Sequence, residues 1–167
     1  MTRGSALTFD PTILREYDIR GIIDKTLSAD DAYAIGRAFG TGIARNGGKT
    51  GCVRYDGRLS SPDMEQAVVG GLRDCGLEAV RVGRGPTPML YFAVNILNVD
   101  GGIIVLDSHN PPDYNDFKMI SVPKPYLSDH IQWMGETYAD SYSALGFQCH
   151  RVETLLVPSR DRSTHDH

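Results

Sequence analysis

Within eleven positions this chain carries a hydroxyl, an imidazole, an amide and an ammonium: Ser108, His109, Asn110 and Lys118. A short apolar segment, Gly102 to Leu106, runs straight into Asp107-Ser108-His109-Asn110-Pro111-Pro112, which places one serine at the end of a strand. Tyr114-Asn115-Asp116-Phe117-Lys118 then returns a cation after a turn. A loop of this composition suits a phosphate group, with Ser108 as the candidate for the chemistry. Taken alone, the serine–histidine pair also fits a capped turn. A hydrolase is disfavoured because neighbours on an extended chain point to opposite faces, so His109 is badly placed to act as base for Ser108. Gly83-Arg84-Gly85-Pro86-Thr87-Pro88 has two glycines of a dinucleotide fingerprint but lacks the third and the following acidic residue. No P-loop motif occurs either, so nucleotide binding has no support.

The elements that position this loop can be read from local signals. Ser28 with Asp31 three positions later is a capping-box pattern, and Tyr33, Ile35, Phe39 and Ile43 form an apolar stripe that ends at Asn46-Gly47-Gly48. Gly51 to Tyr55 reads as a strand closed by Asp56-Gly57. Ser61-Pro62 reads as an N-cap and first helical residue, followed by Met64, Val68, Leu72 and Cys75 on one face. The pattern repeats with a strand from Glu78 to Val82, a loop from Gly83 to Pro86, and a helix from Thr87-Pro88 through Leu97. Gly102 to Leu106 is the third strand. Such alternation indicates βαβ units whose ligands gather at the strands' carboxyl ends, which would put Asp56, Gly83 and Ser108 on one edge. We therefore expect a three-layer α/β/α domain with a mainly parallel, mixed sheet of about four strands.

The length of 167 residues suits one ordinary domain, here expected over residues 1–135. A weakly periodic tail over 136–167 is expected to be partly disordered. Seventeen basic against 21 acidic residues give a net charge of -4, which implies neither a nucleic-acid nor a membrane partner but does not exclude a phosphorylated substrate. Cys52, Cys75 and Cys149 are odd in number and widely spaced, as expected of reduced thiols, with Cys52 and Cys75 in the core. With no signal-like or membrane-length apolar run, a cytoplasmic location is expected.

Taken together, Arg15-Glu16-Tyr17-Asp18-Ile19-Arg20-Gly21, Asp56-Gly57-Arg58 with Ser60-Ser61-Pro62, Pro86-Thr87-Pro88, and Ser108-His109-Asn110-Pro111 followed by Asn115 and Phe117-Lys118 resemble the first domain of the α-D-phosphohexomutases. The similarity runs over roughly residues 9 to 120, and the bacterial phosphomannomutase/phosphoglucomutase type is the nearest match. The resemblance implies that Ser108 carries a phosphoryl group, passes it to a hydroxyl of a hexose phosphate, and regains the other phosphoryl after the bisphosphate turns over. Phosphate thereby moves between C6 and C1 of mannose or glucose. It implies further that Ser108, through its phosphate, is one ligand of a magnesium ion whose other ligands are absent from this chain, and that a hexose 1,6-bisphosphate is the activator. By the same resemblance Tyr17, Arg20, His109 and Lys118 line the substrate site. Arg20 is expected to act electrostatically because its pKa is so high, leaving Lys118 as the better acid or base.

The chain also departs from the family. Asp107 stands where the family has a small residue and Leu106 where threonine is usual. At about 6 Å and an effective dielectric near 20, a carboxylate beside the phosphate costs roughly 3 kcal/mol unless screened. Asp116 replaces the glycine of a turn and is expected to take up a strained, left-handed conformation. The later mutase domains, which complete the site in that family, are not recognisable here, so the isolated chain is expected to be inactive unless they are supplied in trans. The alternative is a non-catalytic remnant that binds a phosphosugar or a protein.

Overall fold

The computed structural model describes residues 10–15, 18–106, 111–122 and, for the backbone, 152–153. The strands are β1 (Ile19–Ile22), β2 (Thr50–Tyr55), β3 (Glu78–Arg84), β4 (Gly101–Leu106), β5 (Tyr114–Ser121) and β6 (Val152–Glu153). The α-helices are α1 (Ala29–Arg45), α2 (Ser61–Asp74) and α3 (Pro88–Ile96), and a 3-10 turn spans Pro11–Ile13.

Local chemistry sets the helix ends largely as expected. The Ser28 Oγ accepts the Asp31 amide at 3.2 Å, while the Asp31 carboxylate accepts the Ser28 amide at 2.8 Å, a reciprocal capping box. Gly47, at φ 81, provides the left-handed turn that stops α1. Helix α2 begins one residue earlier than expected, at the residue read as its cap. Ser61 is the first helical residue, and its hydroxyl bonds to Asp56 instead of capping. Strand β3 runs two residues past Val82, since its register against β2 shifts between Val53 and Arg54 and Gly83 absorbs the bulge at φ 89.

The sheet order is β1-β5-β4-β2-β3-β6. Strands β2, β3, β4 and β6 run parallel, whereas β5 is antiparallel to β4 and β1 antiparallel to β5. The three-layer α/β/α architecture and the mixed sheet are as expected, and the described residues form six strands where about four were expected. The antiparallel β1–β5 pair was missed because β5 opens on Tyr114-Asn115-Asp116, residues that also favour a turn, and Ile19–Ile22 is only four residues long. The expected turn at Tyr114 to Lys118 is thus the start of a strand.

Two cores flank the sheet. Ile35, Phe39 and Ile43 of α1 and Val68 and Leu72 of α2 pack on Val53, Ile103, Val105 and Phe117. Leu90, Ala93 and Val94 of α3 pack on Cys52, Val80, Ile104 and Leu106 on the opposite face. The reason lies in connectivity. The β2–α2–β3 crossover moves one way along the sheet and β3–α3–β4 moves back past β2, so right-handed crossovers place α2 and α3 on opposite faces. Cys52 and Cys75 are buried free thiols, as expected. The expected domain limit at residue 135 lies outside the described residues. Of the expected tail, only Val152–Glu153 is described, pairing with β3.

Candidate functional site

Because β2, β3 and β4 run parallel, their carboxyl ends, Tyr55, Arg84 and Leu106, share one edge of the sheet. The connection leaving β2 heads toward β3 and the one leaving β4 heads toward β5, so the chain diverges above the β2–β4 boundary. Divergence of this kind opens a crevice at the carboxyl ends of the strands, the usual ligand position in open α/β sheets.

The loops around this edge are tied down by polar side chains. The Asp56 Oδ1 accepts the Arg58 amide at 3.1 Å and the Ser61 hydroxyl at 2.6 Å, which fixes the turn between β2 and α2. The Asn115 Nδ2 donates to Ser60 Oγ at 2.7 Å, joining the start of β5 to the start of α2. Arg58 donates from Nη1 to the Pro111 carbonyl at 3.2 Å, and the Ile23 amide to the Asp113 carbonyl at 2.8 Å. Ser61 and Asn115 are wholly buried, so their bonds to Asp56 and Ser60 are partly shielded from water, whereas the Arg58 bond to Pro111 is exposed. The Asp56-Gly57-Arg58 signature therefore supports the edge structurally. An open concavity of about 480 Å³ adjoins it, lined by Ile23, Asp24, Arg58, Ser60, Pro112 and Asp113 among others.

Two of the expected site residues fall on one face. In the β1–β5–β4 register Arg20 stands opposite Asp116, and Asp116 stands opposite Leu106. Lys118 stands opposite Ile104. Alternation along β5 puts Asp116 and Lys118 on the α3 side, with Phe117 and Met119 in the other core. Arg20 joins that face, since its Nε lies 2.9 Å from Asp116 Oδ1 and its Nη2 2.8 Å from Asp18 Oδ2. Burial pulls the Arg20 pKa down, but the Asp18 hydrogen bond and the charges of Asp116 and Asp18 outweigh it, holding the guanidinium above its ordinary range. Arg20 therefore stays charged and acts as a fixed cation.

Lys118 is half-buried, and its side chain has no hydrogen bond or ion pair among the described residues. Ser108, His109 and Tyr17 lie outside the described residues. The chain enters the Ser108 segment from Leu106 and leaves it at Pro111, both at the edge just described.

Asp116 does not adopt the expected left-handed conformation. The non-glycine residues at positive φ among those described are Asp24 and Asn98. Asp116 is extended within β5 and fully buried, because its carboxylate is the partner of Arg20. Sequence reasoning missed Asp116, Asn115 and Ser60 as supports. The two isoleucines of Ile19-Arg20-Gly21-Ile22 fall on opposite faces, so no alternation marked β1, and the partner of Arg20 follows only from the pairing with β5.

Among the described residues no group of three or more His, Cys, Asp or Glu side chains is arranged to hold a metal ion. These residues by themselves do not fit a magnesium site. No helix among them is long and apolar enough to cross a membrane.

Comparison with known proteins agrees with this geometry. The family model described as phosphoglucomutase/phosphomannomutase, alpha/beta/alpha domain I, matches residues 11–143. The phosphomannomutase/phosphoglucomutase of Pseudomonas aeruginosa is 42% identical over 136 residues, covering 81% of this chain and 29% of that protein. The phosphoglucomutase of Neisseria gonorrhoeae is 46% identical over 108 residues, covering 65% of this chain and 24% of that protein. A crystal structure of a phosphoglucomutase/phosphomannomutase family protein from Burkholderia thailandensis superposes with a TM-score of 0.78 at 40% identity, over 87% of this chain and 33% of that one. The chain thus spans under a third of the length of these curated relatives. Matched over most of its length by family, relatives and fold alike, the chain belongs to the phosphoglucomutase/phosphomannomutase family, within its α/β/α domain I.

Proposed function

We propose that this chain is the phosphoryl-carrying domain of a hexose-phosphate mutase, with Ser108 as the carrier. The observation that carries this reading is the placement of Arg20 and Lys118 on one face of neighbouring strands, beside the end of β4 from which the chain runs into Ser108. Diagonal neighbours on an antiparallel pair stand about 7–8 Å apart, a span that two long cationic side chains can close onto one phosphate.

In the proposed reaction the bond between phosphorus and Ser108 Oγ breaks as a bond to a hydroxyl oxygen of the hexose phosphate forms. The hydroxyl gives up its proton as that bond forms, and Lys118 is the candidate for the proton transfer. After the hexose bisphosphate turns over, its other phosphoryl returns to Ser108 Oγ and the proton is given back. Arg20 steadies the charge on the equatorial oxygens, an electrostatic role that its two carboxylate partners make permanent. His109 and Tyr17 are assigned to the sugar-phosphate contacts. Magnesium, when bound, would neutralise phosphate charge, with ligands beyond the described residues. The remaining family domains would close the site, and cytoplasmic hexose phosphates are the substrate class.

Asp107 favours a second reading, a phosphosugar- or protein-binding module without turnover, because its charge opposes phosphorylation of the neighbouring serine. One experiment separates the two. The chain is incubated with glucose 1,6-bisphosphate, magnesium and the remaining domains of a family mutase, and its intact mass is measured. Carrier function gives a gain of one phosphoryl group, lost in Ser108→Ala and slowed about 10²- to 10⁴-fold in Lys118→Met. Absence of label on the wild-type chain rejects the carrier role.

A further inference from the structure

Arg54 is an anomaly in the interior. It is wholly buried at 0% exposure, and its Nε, Nη1 and Nη2 have no hydrogen-bond partner among the described residues. Burial draws its pKa down. A guanidinium nevertheless does not shed its proton in a protein as a buried lysine can, so neutralisation requires an acceptor. Among the described residues, the carboxylates beside Arg20 on this face, Asp18 and Asp116, are both engaged by it.

The surroundings indicate what kind of acceptor fits. Arg54 is the penultimate residue of β2 and pairs with Ile104 of β4, whose other neighbour is Lys118. The three form one row on the α3 face, with Arg54 and Lys118 about 10 Å apart at two strand spacings. The guanidinium lies against Gly85 at the mouth of α3, where its Nη2 occupies the space that a β-carbon on Gly85 would need. Thr87, the N-cap of α3, makes no side-chain cap bond, so no capping oxygen shields the positive end of that helix. A carboxylate has two oxygens for a guanidinium with five N–H donors, whereas a tetrahedral oxyanion can meet both edges of the fork and a second cation.

We propose that Arg54 is the buried anchor of an oxyanion site at the β2–β4 crevice that takes a phosphate group, in addition to the Arg20 and Lys118 positions. The proposal rests on the burial and unmet donors of Arg54 and not on phosphoryl transfer by Ser108, so a catalytically silent chain would still show it.

The test compares thermal unfolding of the wild-type chain and Arg54→Met at neutral pH in chloride, acetate and inorganic phosphate at equal ionic strength. An uncompensated buried charge destabilises, so Arg54→Met is expected to melt higher than wild type in chloride. Phosphate is expected to raise the wild type more than the variant and close the gap, and acetate is not. Equal stabilisation of both proteins by phosphate overturns the proposal. So does an equal effect of acetate, which would indicate a simple carboxylate site. A variant that melts below wild type in chloride also overturns it, because a carboxylate of the chain would then already hold the guanidinium. If Arg54→Met does not fold, Arg54→Lys is read by equilibrium dialysis against inorganic phosphate. Loss of the planar fork is expected to weaken binding about tenfold, and unchanged affinity rejects the site. Phosphorylation of Ser108 is read separately by mass, so either idea can fail without the other.

Discussion

Arg20 bridges two carboxylates, with its Nε 2.9 Å from Asp116 across the β1–β5 pair and its Nη2 2.8 Å from Asp18 just before β1. The Asp116 side chain is wholly buried and that of Arg20 only 26% exposed, so this triad operates at reduced dielectric. It fixes the guanidinium on the α3 face of the sheet and commits Asp116, which takes the place of a family glycine, to a structural role.

Removing Arg20 should therefore cost more than removing an ordinary surface arginine. Arg20→Met leaves a buried carboxylate uncompensated and is expected to lower stability by about 3–5 kcal/mol, whereas Asp116→Asn, which leaves Arg20 with Asp18, should cost about 1–3 kcal/mol. Urea denaturation measures both. A loss below about 1 kcal/mol for Arg20→Met would place the pair among solvated ones.

The polar ties at the start of α2 should behave as a unit. Asn115→Ala removes the bond to Ser60, and Ser61→Ala the bond to Asp56, each at about 1–2 kcal/mol. The Ser61 hydroxyl is also 3.4 Å from Asn115 Oδ1. A double-mutant cycle is thus expected to show coupling of about 0.5 kcal/mol or more, and strict additivity would mean that the two ties act independently.

Asp100 should set part of the acid limb of stability. Its carboxylate accepts the Lys49 amide at 2.7 Å and the Thr50 amide and hydroxyl at 3.0 Å each. The Lys49 bond, helped by those from Thr50 against the opposing effect of burial, holds its pKa below the usual carboxylate value. A depressed folded-state pKa gives stability that is present above the unfolded value and lost as pH falls through the folded one. Asp100→Asn is expected to be about 1–2 kcal/mol less stable than wild type at neutral pH, with the gap shrinking below about pH 4. A gap independent of pH would assign the loss to packing.

The interior thiols should be inert. Burial pushes Cys52 up to about 12 and raises Cys75 as well, so neither forms thiolate at neutral pH. In a Cys149→Ser background, a disulfide reagent at pH 8 is expected to label the chain only at the rate of unfolding. Rapid stoichiometric labelling would show that one of these thiols reaches solvent.

The two predicted parallel strand–helix repeats, the cap at Ser28 and the stop at Gly47 were all legible in the chain because each is written in residues a few positions apart. The four signatures, in order, pointed to the family for the same reason. Motifs are local strings, and their spacing survives without knowledge of the fold. Ser61 shows the limit of such reading. Its hydroxyl had the form of an N-cap, yet Asp56 lay within reach and took the bond.

What the sequence determined by itself was therefore the family, the helix–strand alternation and the residues to watch. Only the tertiary structure decided which charges meet. Antiparallel pairing of β1 with β5 brought Arg20 to Asp116, and the order of β5, β4 and β2 set Lys118 and Arg54 two strands apart in one row. Pairing register between segments far apart in the chain leaves no local trace. The desolvation that turns an arginine into either a held cation or an unsatisfied one exists only once the sheet and α3 have closed over it.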